Sequence, residues 1–241
     1  MENKVYTVAI IGVGARGAGA YGRIIHNNMQ GKLKIVALCD KRQDRLDRWS
    51  EFFGVDKANC FLDEDEFFAQ KRADALIVGT QDQDHVGHAV KGFKTGYDIL
   101  IEKPLTDKLE ECKELLAAQK QYGGKAIVCH VLRYAPAYVK AAEWIKNGEI
   151  ILDEANNELV IYHNHKQKET FEIDKLISQD DQGYGHGGGD VWLIKGLYDL
   201  LDGKGGDETA LYRSVESRLM GICAEESRKQ DGKLIYIHEN N

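Results

Sequence analysis

The chain has 241 residues, 43% of them hydrophobic, and a formal net charge of −7. That apolar content supports a packed core and excludes a disordered chain, and the length allows one large domain or a domain with a smaller lobe. The acidic balance, without any basic run, argues against nucleic acid as a partner, and the apolar runs are strand length, too short to cross a bilayer.

The N-terminal "MENKVYTVAIIGVG" enters a strand directly, without the three-part pattern of a signal peptide. Five scattered cysteines (39, 60, 112, 129 and 223) form neither a CxxC pair nor a compact metal spacing. Both features predict a cytoplasmic protein with reduced thiols.

Tyr6 to Val13 reads as a continuous apolar strand, and "GVGARG" follows it with Gly12, Gly14 and Gly17. This is a GxGxxG motif between a strand and a helix. The first glycine permits the turn, the second lets backbone approach a pyrophosphate, and the third lets the helix sit close to the sheet. The N–H groups of the new helix then face the phosphate charge. A second strand, "KIVALCD", ends at Asp40. A carboxylate about 20 residues beyond the glycines can accept hydrogen bonds from the adenosine ribose, which favours NAD. Lys41 and Arg42 follow it and could pair with a 2′-phosphate, so NADP is not excluded. The plain alternative is that Asp40 caps a helix starting at Lys41.

The alternation continues with a strand "DALIVGT" (74–80), a helix from His85 to Thr95 stopped by Gly96, and a strand "YDILIEKP" closing at Pro104. A helix from Asp107 to Tyr122 ends at Gly123 and Gly124, and "KAIVCH" is a further strand. Near-continuous apolar strands of this kind belong to a buried parallel sheet. Residues 1–130 are therefore expected to form a doubly wound, Rossmann-type α/β domain that binds ligand beyond the carboxyl ends of its strands.

"IIGVGARG", "CD" at 39–40, "TQDQDHVGHAVKGFKTGYDILIEKPLTD" and "VCHVLRYAP" occur here in one order. Together they resemble the Gfo/Idh/MocA oxidoreductases, the family of glucose–fructose oxidoreductase and inositol dehydrogenase, over about the first 150 residues. The resemblance implies that Glu102, Lys103 and Pro104 are the family's EKP signature, with Lys103 reaching substrate and nicotinamide. It also implies cofactor contacts at Gly12, Gly14, Arg16, Gly17, Asp40, Thr80, His85 and Glu102, and a substrate-side place for Arg133. Independently, a lysine at the end of a central strand can donate to a hydroxyl or nascent carbonyl oxygen in the crevice. Pro104 biases Lys103 toward extended backbone. Solvated lysine, helix-start histidine and surface arginine are the plain readings of Lys103, His85 and Arg133.

Residues 131–150 read as a connecting helix and 151–241 as a reduced α+β lobe, the remnant of a substrate and oligomerisation domain. The family's aspartate–histidine helix, whose histidine acts as acid–base partner, is not found. "WIKNGEIILDEANNELVIY" (144–162) looks like a join, passing from the helix that enters the second domain to its late strands. "ELVIYHN" and "KETFEID" read as a polar hairpin about "HKQK", which would be marginal alone. Asp190 to Leu201 and Thr209 to Lys229 read as helices, the second with Leu211, Val215, Leu219 and Ile222 on one stripe. His163, His165, His186 and Asp190 could suggest a metal, but "HNH" lacks a carboxylate partner, and no metal is expected. His186, in "GHGGGD", is the candidate to replace the missing acid–base group.

The expected activity is NAD-dependent hydride transfer between nicotinamide and a sugar or cyclic polyol. The alternative is a dinucleotide-binding protein with little or no catalysis. An exposed hairpin edge predicts a homo-oligomer.

Overall fold

The computed structural model describes residues 4–144, 148–153, 155–163, 167–178, 181, 183–204 and 210–237. The chain divides into two compact units, Met1–Cys129 with Leu197–Asn241, and His130–Gly196. The first boundary lies one residue before the expected one. Residues 197–241, expected in the second lobe, belong instead to the first unit.

In the first unit six strands form a parallel sheet. They are β1 (Tyr6–Ile11), β2 (Leu33–Cys39), β3 (Cys60–Phe61), β4 (Ala75–Val78), β5 (Asp98–Ile101) and β6 (Ala126–Val128), in the order β3-β2-β1-β4-β5-β6. The two-residue β3 is too short to show in the sequence. The order reverses direction between β1 and β4, so the ligand crevice of this topology opens beyond their carboxyl ends. β4 is buried along its whole length and β1 in all but one residue, which is why these strands read as unbroken apolar runs.

A π-helical turn over Gly17–Gly22 leads into α1 (Arg23–Asn28). α2 (Gln43–Phe53), α3 (Glu64–Phe68), α4 (His85–Thr95) and α5 (Leu109–Tyr122) connect the remaining strands. Gly54 and Gly96 end α2 and α4 with left-handed backbone (φ 67° and 89°) that glycine adopts without side-chain strain. Each predicted strand overran its carboxyl end by one to three residues. There the chain leaves the ladder at Gly12, Asp40, Gly79, Glu102 and Cys129, whose N–H groups make the last bonds to neighbouring strands.

The second unit holds α6 (Pro136–Trp144) and an antiparallel sheet of β7 (Gly148–Asp153), β8 (Glu158–His163) and β9 (Gln167–Glu172). The expected hairpin is thus the last two strands of three, with β8 in the centre. Leu159 and Ile161 are fully buried, and α6 packs on β7 and β8. The short α7 (Ile173–Leu176) and a glycine-rich loop precede α8 (Gly189–Leu201), whose last turns belong to the first unit. α9 (Leu211–Lys229) packs against α5 and β6. Its Leu211, Val215 and Leu219 join the core cluster of Cys112, Leu115 and Val128. Residues 145–147 of the supposed join, His165 and Thr209 lie outside the described residues.

Candidate functional site

The crevice side of the first unit is built on glycine. Gly12 has φ 84°, and a Cβ there would lie 2.6 Å from the Gly79 carbonyl. A Cβ on Gly17 would lie 2.1 Å from the Gly12 oxygen. Both glycines are thus required by close approach of strand ends and helix. Gly14 differs: its Cβ would meet nothing nearer than Arg45 Nη1, at 3.6 Å. The protein does not need glycine there, whereas a pyrophosphate drawn to the loop does, so the loop fits a dinucleotide.

Asp40 is buried at the end of β2. Its Oδ2 accepts the Val13 N–H at 2.9 Å and its Oδ1 the Arg42 N–H at 3.0 Å, with Arg45 Nη1 3.4 Å from Oδ2. The carboxylate therefore ties the glycine turn to the β2–α2 turn. α2 begins at Gln43 with no side-chain cap, so the helix-cap alternative does not describe Asp40. The Arg42 guanidinium is taken by Asp44 at 2.6 Å and 3.0 Å.

Glu102, at the end of β5, is the hub of the site. Arg16 Nε donates to its Oε1 at 2.7 Å, the Tyr21 hydroxyl donates to the same oxygen at 2.5 Å, and Arg16 Nη2 donates to the Tyr21 oxygen at 2.5 Å. Burial pushes the Tyr21 hydroxyl well above its ordinary pKa, so it stays a donor. The other Glu102 oxygen accepts the Lys103 N–H at 2.8 Å. Lys103 itself is exposed, and its bond to Pro104 is cis.

His85 is buried at 1% exposure, with Nδ1 2.7 Å from the Pro104 carbonyl and Nε2 3.2 Å from that of Thr80. Both ring nitrogens face backbone carbonyls, of which a neutral imidazole can donate to one, so His85 ties α4 to the turn around Lys103. The Thr80 hydroxyl lies 3.0 Å from His88 Nδ1, and His88 Nε2 lies 2.6 Å from Glu64. Hydrogen bonds from Lys91 and His88 hold the Glu64 carboxyl at about 2.

Gly12, Gly14, Arg16, Gly17, Asp40, Thr80, His85, Glu102 and Lys103 thus all lie at or beyond the carboxyl edge of one sheet. Arg133 and His186 belong to the second unit. Arg133 is exposed in a short turn over Val131–Arg133. His186 is 40% exposed, has φ 56°, and places Nδ1 3.3 Å from the buried Asp190. Among the described residues no group of three or more His, Cys, Asp or Glu could hold a metal ion. Nor is any helix among them long and apolar enough to cross a membrane.

Sequence reasoning missed Tyr21, Arg45, His88 and Glu64. Tyr21 stands one turn past Gly17 in the helix that the motif announces, a usable signal. The other three are ordinary polar residues until folding brings them to the edge.

Residues 6–130 match the model of an oxidoreductase family with an NAD-binding Rossmann fold, Gfo/Idh/MocA. The chain is 30% identical over 153 residues to scyllo-inositol 2-dehydrogenase (NAD(+)) of Bacillus subtilis (strain 168), covering 62% of this chain and 42% of that protein. It is 26% identical over 150 residues to an inositol 2-dehydrogenase of Rubrobacter xylanophilus, with the same two shares. The chain thus spans less than half the length of these curated relatives. The fold resembles an oxidoreductase of Agrobacterium radiobacter, solved with NAD+, L-tartaric acid and magnesium, at TM-score 0.74 and 12% identity, over 96% of this chain and 98% of that one.

Proposed function

The chain belongs to the Gfo/Idh/MocA family of NAD-binding oxidoreductases, and from that premise we propose that it moves a hydride between nicotinamide and a carbinol carbon of a sugar or cyclic polyol. The observation that carries this reading is Lys103, exposed at the end of β5 while Glu102 holds its backbone N–H on the same sheet edge as the glycine turn.

Bound NAD supplies the hydride acceptor. The chain's residues do the rest. Backbone at Gly14 gives the pyrophosphate close approach, and Asp40 offers its remaining lone pairs to the ribose. The Lys103 ammonium donates to the oxygen on the reacting carbon and stabilises its developing charge. His186, with Nδ1 3.3 Å from Asp190 in the second unit, is the candidate acid–base group. The polyol class is supported by the inositol dehydrogenases among the relatives. The edges of β7 and β9, unpaired among the described residues, support self-association. A monomer by light scattering at working concentration refutes that part.

The test follows reduced nicotinamide by absorbance with NAD and a panel of inositols and aldoses. Reduction is expected with at least one member, and Lys103→Met should lower turnover by roughly 100-fold or more while leaving NAD affinity in place. NAD binding without reduction across the panel overturns the enzyme reading and leaves a dinucleotide-binding protein. Unchanged turnover in Lys103→Met removes Lys103 from the chemistry.

A further inference from the structure

A hydrogen-bonded chain of side chains runs inward from the sheet edge at Thr80, wholly within the first unit. Thr80 stands where the strand order reverses: a Cβ on Gly12 would lie 2.6 Å from its backbone nitrogen. Its side chain is half-buried, and its hydroxyl lies 3.0 Å from Nδ1 of the buried His88. His88 Nε2 lies 2.6 Å from Glu64 Oε2, and Lys91 donates to the other Glu64 oxygen at 2.8 Å and to Asp65 at 2.7 Å. The Phe68 ring lies nearly parallel to the imidazole, at 6.3 Å and 21°.

The direction of each bond follows from Glu64. Its carboxyl is held at about 2, so it is ionised and can only accept. The proton between it and His88 therefore sits on Nε2. A neutral imidazole carries one ring proton, so Nδ1 is left as an acceptor and the Thr80 hydroxyl donates into it. A hydroxyl whose one proton is engaged has only lone pairs to offer. An unrestrained threonine could turn either a proton or a lone pair to the crevice, whereas here the chain of bonds has made that choice before any ligand arrives.

The sheet order says which part of a dinucleotide meets that oxygen. Asp40 at the end of β2 lies on the adenosine side of the glycine turn, and β4 and β5 lie on the other. A dinucleotide with its pyrophosphate at Gly14 lays its nicotinamide half over β4. We propose that Glu64 and His88 position the Thr80 hydroxyl as a fixed acceptor for a donor on that half, a ribose hydroxyl or the carboxamide N–H. Phosphate oxygens, which only accept, are turned away from Thr80, so the same oxygen helps set the register of the cofactor. His88 is a positioning residue here and touches no ligand. The proposal needs NAD binding and not hydride transfer, so it stands or falls apart from the polyol reading.

The test titrates the full chain with NAD, ADP-ribose and ADP by intrinsic fluorescence, at about pH 8.5, some two units above the ordinary histidine pKa. Thr80→Val removes the hydroxyl at nearly constant shape. It should weaken NAD roughly tenfold and leave ADP, which lacks the nicotinamide half, unmoved. A loss shared by ADP-ribose assigns the donor to the ribose, and a loss confined to NAD assigns it to the carboxamide. His88→Leu should weaken NAD roughly threefold or more, and should add nothing in a Thr80→Val background. His88→Asn, which puts an acceptor oxygen in the place of Nδ1, should restore most of the affinity. If His88→Leu folds poorly, Glu64→Ala at a partly exposed position releases the tautomer and should give the same NAD-selective loss. Unchanged NAD affinity in Thr80→Val overturns the proposal. So do equal losses of NAD and ADP in the His88 or Glu64 variant, the mark of a merely structural role. NAD-selective losses in a chain that never reduces NAD keep the positioning chain and sink only the polyol reading. A wild-type chain that does not bind NAD overturns both.

Discussion

Both units contain a glycine-rich turn ahead of a helix, and the two treat charge in opposite ways. In the first, the carboxylates of Asp40 and Glu102 are buried, and each has two or more donors. The turn glycines Gly12 and Gly17 are explained by neighbouring backbone. In the second, Asp181 is as deeply buried but, among the described residues, only half satisfied, and a histidine holds a left-handed position. A fully satisfied carboxylate serves architecture first and is expensive to remove. One left short of donors adds little to folding.

The largest expected effect breaks this contrast on the first side. Glu102→Ala strands Arg16 and the Tyr21 hydroxyl together and should lower the unfolding free energy by about 3 kcal/mol in a denaturant titration. Asp181→Asn, by contrast, should change it by less than about 1 kcal/mol. Equal losses from the two would erase the distinction.

A second pair of variants separates architectural from ligand-facing glycine within the first unit. Gly12→Ala drives a methyl into the Gly79 backbone at φ 84° and should cost about 1–3 kcal/mol of stability. Gly14→Ala should leave stability within about 0.5 kcal/mol of the parent. It should nonetheless weaken NAD binding roughly tenfold, as read by fluorescence titration, because the methyl stands where the pyrophosphate approaches. Undiminished NAD affinity in Gly14→Ala would show that the cofactor does not lie against this turn.

The smallest effect is an acid limb. Hydrogen bonds from Lys91 and His88 hold the Glu64 carboxyl at about 2, against 4.5 unperturbed. With the folded pKa depressed, its stabilisation is complete above pH 4.5 and is lost as pH falls through about 2. Glu64 is partly exposed, so screening keeps the effect modest. Glu64→Gln should flatten the decline of stability between these pH values, measured by denaturant midpoint. An unchanged slope would remove Glu64 from the acid response.

The parallel sheet was legible because buried parallel strands are apolar on both faces, so β1, β4 and β5 stand out as runs with glycine or proline close by. The edge of the sheet was legible for the same reason: the runs of β2, β4 and β5 overshot into Asp40, Thr80 and Glu102, where the ladder stops. Pairings were not. Arg16 and Glu102 are 86 residues apart, and nothing in either neighbourhood announces the other. Nor does sequence show that the His85 ring lies against the carbonyls of Thr80 and Pro104. The apolar stripe of α9 showed that the helix is buried, but not that its partner is α5, a hundred residues earlier in the chain. The loose pair of Asp181 and Lys195 was invisible, because whether a lone pair is satisfied is a property of the folded chain alone.

The return of α9 to the first unit sets a timetable for synthesis. The apolar surface of α5 and β6, with Cys112, Leu115 and Val128, is covered by Leu211, Val215 and Leu219. On a ribosome the nucleotide-binding sheet emerges early, yet its flank stays bare until some eighty later residues have been added. A nascent chain halted after residue 130 would leave that apolar flank exposed, a natural target for chaperones. The segment that looks most like a self-contained module in the sequence is therefore the last to be sealed.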